Sequence, residues 1–512
     1  MRSFVPVAGT LATLLLSAGC VRRQFFQPDA RRDTAQPLPA AADSVRGATA
    51  GRQYARHGGL YNALVGKHHR PTWAAPVTVP ILKLATVRPD GVLRPGKVGG
   101  GFNSTSLGLT TINGQAYVVR TVDKDPIRAT PMWLRGTFLV NALRDNISAT
   151  NPYASLTVPV FAEATGVPHA NPQLYYVRAD NPAFQTDSLR HFRGQLGMLE
   201  EKAAPLPVNM PAPKAILNST KAFNAIFTTP ATQIEQPALL QARLLDGWLG
   251  DWDRHPGQWS WALMQPTKAG RAMLRPLPKD RDMVFYRLDD GVLGWLVSRL
   301  ALRHWVTFAP RYKNLRGLMS SGHYLDQRGL NALNRTQFRA TALAMQQRLP
   351  DTLITRAVRR LPASAFAIEG PRTIAALQAR RDALPALADD FYRHLARHPR
   401  IGGTAQAERF TIHRYADSTV VTIQSAAAKT VTPLYRRAFL PTETKRIQLE
   451  GLGGDDVFSV EEHGPNAGSK PTIRIFGGAG TDEMKATKSA SGIRFKQESA
   501  PTKQAYDTPP VE

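Results

Sequence analysis

One cysteine, Cys20, occurs in 512 residues, so no disulfide can form within the chain. Long apolar runs are also missing. Residues 4–16 are mostly apolar but fall short of the roughly 20 residues a membrane-spanning helix needs, and no later stretch reaches that length. Acidic residues are scarce beside basic ones: 39 Asp+Glu against 65 Lys+Arg, a formal net charge of +26. The positive charge is spread along the chain without a dense basic block, and no nucleic-acid-binding motif accompanies it, so nucleic acid is not an expected partner. The excess favours phosphorylated ligands, lipid headgroups or anionic glycans. The length allows two to four domains.

The setting of the cysteine explains it. "MRSFVPVAGTLATLLLSAGC" has a short positive start, an apolar run and small residues just before Cys20. It resembles a bacterial lipoprotein signal, which implies lipidation of Cys20 and an anchored protein of the cell envelope, at the outer membrane. An ordinary secretory signal with an incidental cysteine is the alternative.

The remaining chain divides by composition. Residues 1–20 read as the signal and 21–52, without apolar periodicity, as a flexible tether. Residues 53–203 form a first lobe. In it "GKVGGGFNSTSLGLTTINGQAYVVRTV" reads as glycine turn, strand, Asn113-Gly114 turn and strand, followed by helical spacing and the strand "QLYYVRA". The Pro-rich segment 204–218 reads as a linker. Residues 219–400 form a second lobe with an Arg-rich helical segment, 401–495 a small β domain and 496–512 a disordered tail. The fold class expected is α+β.

The chemistry-bearing stretch is "GDWDRHPGQW" at 250–259. Asp253 follows a helix, Gln258 lies five residues on, and a hairpin separates them from Asp280 and Asp282 in "PLPKDRDMVF". A hairpin brings its ends together, so carboxylate and amide oxygens would converge as Mg²⁺ or Mn²⁺ ligands, with phosphates completing the shell. The remaining carboxylate would orient or deprotonate a hydroxyl. Upstream, Gly99, Gly100 and Gly101 would let backbone amides approach phosphates. Arg120 and Lys124 would pair with phosphate oxygens, and Glu163 on the following helix would hold that cation. Plain readings stand beside these: Gly99–Gly101 as an ordinary turn, Glu163 as an exposed helix residue, Asp251 as a turn or cap acid, His255 as a loop brace, and Trp248, Trp252, Trp259 and Trp261 as core.

Taken in order, these parts resemble a protein-kinase-like fold. The loop and the segment "RPLPKDRDMVF" look like the atypical kinase-like superfamily that includes the spore-coat CotH kinases and the HipA kinases. "AYVVRTVDKDP", "TVPVFAEATGVPHANP" and "MLEEK" are similar to a bacterial envelope family frequent in Bacteroidetes. Its members often continue into a metallophosphoesterase region or an outer-membrane surface-antigen barrel; no such barrel follows here. The resemblance implies a two-lobed kinase-like domain with a helical extension and a small C-terminal β domain. It implies Asp253 as catalytic acid, Gln258 and Asp280 as metal ligands with Asp282 as the alternative, and ATP or another phosphodonor. Three departures are visible. The loop amide is Gln258 where those kinases carry Asn, the strand cation is Arg120 where Lys is usual, and the glycine turn is not the full kinase loop. A lipoprotein beyond the cytoplasmic membrane also meets little ATP. The expected partners are the membrane through the lipid, a phosphorylated small molecule or envelope polymer, and an outer-membrane protein. A non-catalytic binding or assembly protein on this fold, or a basic lipoprotein docking on anionic lipid or glycan, are the other readings.

Near the C-terminus "GLGGDDVF" and "GGAGTDEM" resemble the Gly/Asp repeats of calcium-binding β-rolls, which implies Asp455, Asp456 and Asp482 as Ca²⁺ ligands. Structural turns without metal are the alternative, since only two copies are evident.

Overall fold

The computed structural model describes residues 25–89, 91–100, 105–128, 130–206, 210–267, 270–427, 433–463, 470–488 and 490–500. Cys20, the signal segment and Gly101 lie outside them. The architecture is mixed α+β.

Strand β1 (Ser44–Ala48) pairs antiparallel with β2 (Val77–Pro80), and helix α1 (Gly59–Val65) lies between them in the chain. This overturns the tether expectation for residues 25–52. Ala30 and Val45 are buried, and the Gln27 side-chain amide donates to the carbonyls of Thr49 (2.8 Å) and Ala50 (3.3 Å). Packing against later segments orders a stretch with no periodicity of its own. An amide side chain supplies the partner its backbone would otherwise seek in water.

The first lobe is a five-stranded antiparallel sheet. Its strands are β3 (Arg94–Gly99), β4 (Ser106–Thr110), β5 (Ala116–Thr121), β6 (Gln173–Val177) and β7 (Gln195–Glu201), in the order β3-β4-β5-β7-β6. Helix α2 (Val158–Thr165) connects β5 to β6. Alternation sets the faces: Leu107 and Leu109 on β4, Tyr117 and Val119 on β5, and Leu199 on β7 share one core. Gly114 has φ of 80°, the left-handed conformation the Asn-Gly turn requires.

The second lobe holds β8 (Ala215–Asn218), β9 (Thr232–Ile234), helix α3 (Gln236–Leu249), β10 (Trp259–Leu263) and β11 (Ala272–Pro278), with the sheet order β8-β10-β11-β9. The segment expected as a linker thus ends in a strand. Leu240, Leu244, Trp248 and Leu249 of α3 are fully buried, as are Trp259 and Trp261, and Trp252 is nearly so. The helical segment follows: α4 (Val292–Leu300), α5 (Arg335–Gln347), α6 (Asp351–Val358), α7 (Ala363–Asp382) and α8 (Leu384–Ala396).

The C-terminal β unit contains β12 (Arg400–Gly402), β13 (Glu408–Arg414), β14 (Thr419–Ser425), β15 (Tyr435–Phe439), β16 (Arg446–Gly453), β17 (Val457–Glu462), β18 (Thr472–Ala479), β19 (Glu483–Ala486) and β20 (Ile493–Lys496). One sheet runs β12-β16-β18-β20, all parallel; the other runs β15-β14-β13-β17-β19, with β13, β17 and β19 parallel. The chain passes from one sheet to the other at each Gly/Asp turn, as in a coil. The turn between β12 and β13, "GGTAQAE", is a third copy of the repeat, hidden because its carboxylate is Glu408. The carboxylates brace these turns. Asp456 accepts from the Glu408 backbone N–H (2.8 Å), Asp482 from that of Asp456 (3.0 Å) and Asp455 from that of Thr481 (2.8 Å). Burial pushes the Asp456 carboxyl up to about 8.

Glu369 on α7 ties the helical segment to the N-terminal part. It faces the His69 ring nitrogen Nδ1 (2.7 Å) and accepts from Thr72 and from Asn151 (3.3 Å). Burial pushes this carboxyl up, but His69, Arg287 and Thr72 outweigh it and hold it at about 2, against an ordinary 4.5. A depressed carboxylate contributes stability above its unfolded value and loses it as pH falls through the folded one. Stability should therefore fall by roughly 3 kcal/mol between about pH 4.5 and 2. Glu369→Gln should flatten that part of a denaturation-midpoint-against-pH curve.

Candidate functional site

Helix α3 ends in Gly250, whose φ of 73° is the left-handed position at which helices commonly stop on glycine. What holds the loop beyond it is charge inside the core. Asp246, fully buried on α3, accepts from Arg243 (3.0 Å), from Arg254 of the loop (3.2 Å) and, closely, from Arg281 beyond the hairpin. Arg254 then donates through Nη1 to the carbonyls of Lys279 (2.7 Å) and Asp280 (3.3 Å), and through Nη2 to that of Gln258 (3.3 Å). Its guanidinium lies over the Trp259 ring, 4.7 Å from the centroid. One carboxylate and one arginine thus join the end of α3, the loop and the returning strand.

The hairpin closes as its spacing predicts. Trp259 pairs with Pro278, and the Lys279 backbone N–H donates to the Gln258 carbonyl (2.9 Å). This sets Gln258 beside Asp280, and the Gln258 side chain helps to lower the Asp280 carboxyl. Asp280 has φ of 51°, a left-handed conformation in which aspartate is enriched among non-glycine residues but which still costs energy, and such positions cluster at functional sites.

The first lobe supplies the cations. Lys124 pairs closely with Asp282, and Arg120 with Glu200. Arg120, Lys124, Asn151, Glu200, Asp280 and Asp282 line one cavity of about 60 Å³. Burial pushes the Asp280 carboxyl up, but Arg120, Lys124 and Arg254 outweigh it and the net shift is downward. Asp282 goes the other way: burial and the neighbouring Asp280 charge raise it against the pull of Lys124. Two carboxylates with opposed shifts beside two cations can exchange partners when an anion enters.

Asp253 is half-buried, and its charge is felt by Asp282 and by His304. Gly99 ends β3 opposite Ser106, which in turn lies opposite Arg120. Gly100 has φ of 131°. Glu163 is exposed on α2, so the expectation that it holds the strand cation does not stand; the carboxylate beside Arg120 is Glu200 of β7. Arg120 pairs across the ladder with Met198, which puts Glu200, two residues on, on the same face. No local sequence signal announces that register. His255 braces the loop by accepting from the Gly257 backbone N–H (3.0 Å). Asp251 is not a cap. It is buried, neither oxygen has a hydrogen-bond partner among the described residues, and Arg254 and Arg281 stand 3.8 Å away. Burial pushes its carboxyl up to about 7.

Removing the carboxylate that three arginines share leaves buried charge uncompensated. Asp246→Ala should cost about 3–5 kcal/mol in equilibrium unfolding, with Asp251→Asn much milder because that acid lacks hydrogen-bond partners.

No protein-family profile and no curated protein matches the sequence. Among solved structures, the crystal structure of a Helicobacter pylori proinflammatory kinase, CtkA, aligns with 59% of this chain and 96% of its own, at 12% identity and a TM-score of 0.32.

Proposed function

We propose that the cavity between the five-stranded sheet and the 250–282 segment is a kinase-like site for a phosphorylated ligand and a divalent metal, in a lipid-anchored protein of the cell envelope. The observation that carries this reading is that the hairpin sets Gln258 beside Asp280, and Asp280 lines a cavity whose other wall bears Arg120 and Lys124. Arg120 sits on the third strand of its sheet, where kinases carry their phosphate-binding lysine. Phosphate oxygens would draw Arg120 and Lys124 from Glu200 and Asp282. That would release carboxylate oxygens, the donors hard cations prefer. Gln258 would present its amide oxygen, since its nitrogen cannot ligate. The bound metal would neutralise charge on the transferred group. Asp253 would orient and accept the proton of an acceptor hydroxyl, and the rigid Asp246–Arg254 support would hold the geometry.

Nucleotide binding by the full chain, with and without Mg²⁺ or Mn²⁺, tests this. Metal-dependent ATP binding should disappear in Asp280→Ala. Asp253→Ala should keep binding and lower phosphate transfer by about 10²–10⁴-fold. Binding without transfer in the wild type would select the non-catalytic reading, and no binding with either metal would overturn both.

A second reading, docking on anionic lipid, is favoured by α4. Val292, Leu293, Trp295, Leu296 and Leu300 are all exposed on it, α1 packs alongside with Leu60 and Leu64 exposed, and Arg299, Arg303, Lys313 and Arg316 flank it. An apolar face rimmed by cations suits an anionic bilayer interface. A Cys20→Ser chain, unable to be lipidated, should sediment with anionic vesicles, less so at high salt. It should lose this on Trp295→Glu with Leu296→Glu and ignore zwitterionic vesicles; equal binding to both kinds of vesicle would overturn the reading.

A further inference from the structure

We infer that His413, Glu461 and His463 form a binding site for a divalent transition-metal ion, zinc by the chemistry of its donors, on the C-terminal β unit and apart from the proposed phosphate site. The backbone builds it. His413 on β13 is the direct partner of Glu461 on the parallel strand β17. The His463 backbone N–H donates to the Arg414 carbonyl (2.9 Å), which carries the ladder one step beyond β17. Glu461 and His463 are two residues apart and so share the face on which His413 projects. Arg414 and Glu462 turn to the other face, where they are buried and paired at 2.6 Å, with Lys470 completing that pair. The interior charges are thereby paired without the triad. Tyr415, two residues from His413, stacks on the His463 ring at 4.8 Å and 16° and fixes its plane.

The donor spacing carries the inference. His413 Nδ1 lies 2.9 Å from His463 Nε2 and 3.2 Å from Glu461 Oε2, and His463 Nε2 lies 3.6 Å from the same oxygen. Metal–ligand bonds of 2.0–2.1 Å at tetrahedral angles separate ligand atoms by about 3.3 Å. Protons fit the triangle poorly. If both facing nitrogens are protonated, the 2.9 Å contact brings two donors together. If one is protonated, its single N–H must serve two acceptors. If neither is, three lone pairs face one another. One cation at the centre satisfies all three donors. Two imidazoles and a carboxylate suit zinc and its transition-metal neighbours rather than Mg²⁺ or Ca²⁺. With side chains 31–47% exposed, the fourth position faces solvent, as in sites that keep a water ligand rather than in closed structural ones.

The test is Zn²⁺ titration of the full chain, stripped with a chelator, in competition with a chromophoric chelator, and Co²⁺ titration followed by visible d–d absorption. The wild type should show a site whose affinity falls at least about tenfold in each of His413→Ala, His463→Ala and Glu461→Gln. The tetrahedral Co²⁺ band should disappear with it. His255→Ala, on an exposed loop in the other half, should change neither. Unfolding curves check that these surface variants stay folded. Zn²⁺ affinity in the His413→Ala/His463→Ala double variant equal to that of the wild type overturns the site, as does a wild type without the tetrahedral Co²⁺ band.

Discussion

A single buried carboxylate, Asp246, sets the geometry on which the candidate site depends. Three arginines converge on it from three places in the chain: α3, the loop after it, and the segment beyond the hairpin. Burying so much charge is costly unless every group is paired and hydrogen-bonded. The pairing therefore tolerates little displacement, and specificity of position is what such a network supplies here. Arg254 passes that rigidity on to the carbonyls of Gln258, Lys279 and Asp280. The left-handed backbone at Asp280 persists because its surroundings dictate it.

The same electrostatic logic shapes the cavity. Its cations arrive already paired, Lys124 with Asp282 and Arg120 with Glu200. Neither cation is an uncompensated buried charge, and neither carboxylate is an idle ligand. An incoming anion and cation together would exchange these pairs rather than create new charge, a small electrostatic change in a low-dielectric setting. The C-terminal unit solves a related problem differently. Its turn carboxylates accept backbone N–H groups from neighbouring coils, so Asp455, Asp456 and Asp482 have a structural occupation whatever else they bind.

Much of this was legible in the residues. The Asn113-Gly114 turn, the tryptophan core and the convergence of Gln258 with Asp280 across a hairpin all follow from local rules of period and spacing. Other features depended on partners remote in sequence. Residues 25–52 have no pattern of their own and are ordered by what they pack against. Glu163 occupied the right place in the order of elements, yet its side chain faces solvent, and Glu200 took the role because sheet register set it diagonally from Arg120. The third Gly/Asp turn was concealed by a glutamate in place of an aspartate. His413, Glu461 and His463 carried no recognisable spacing, since parallel pairing of β13 with β17 joins residues about fifty positions apart.

The sequence by itself determined the α+β class, the elements and the types of residue able to do chemistry, because periodicity, turns and the ends of a hairpin are local consequences of backbone geometry. Only the tertiary structure decided which charges are neighbours. Pairing between distant strands and burial beneath distant helices are non-local, and electrostatic partners at hydrogen-bond distance are set by that register rather than by order along the chain.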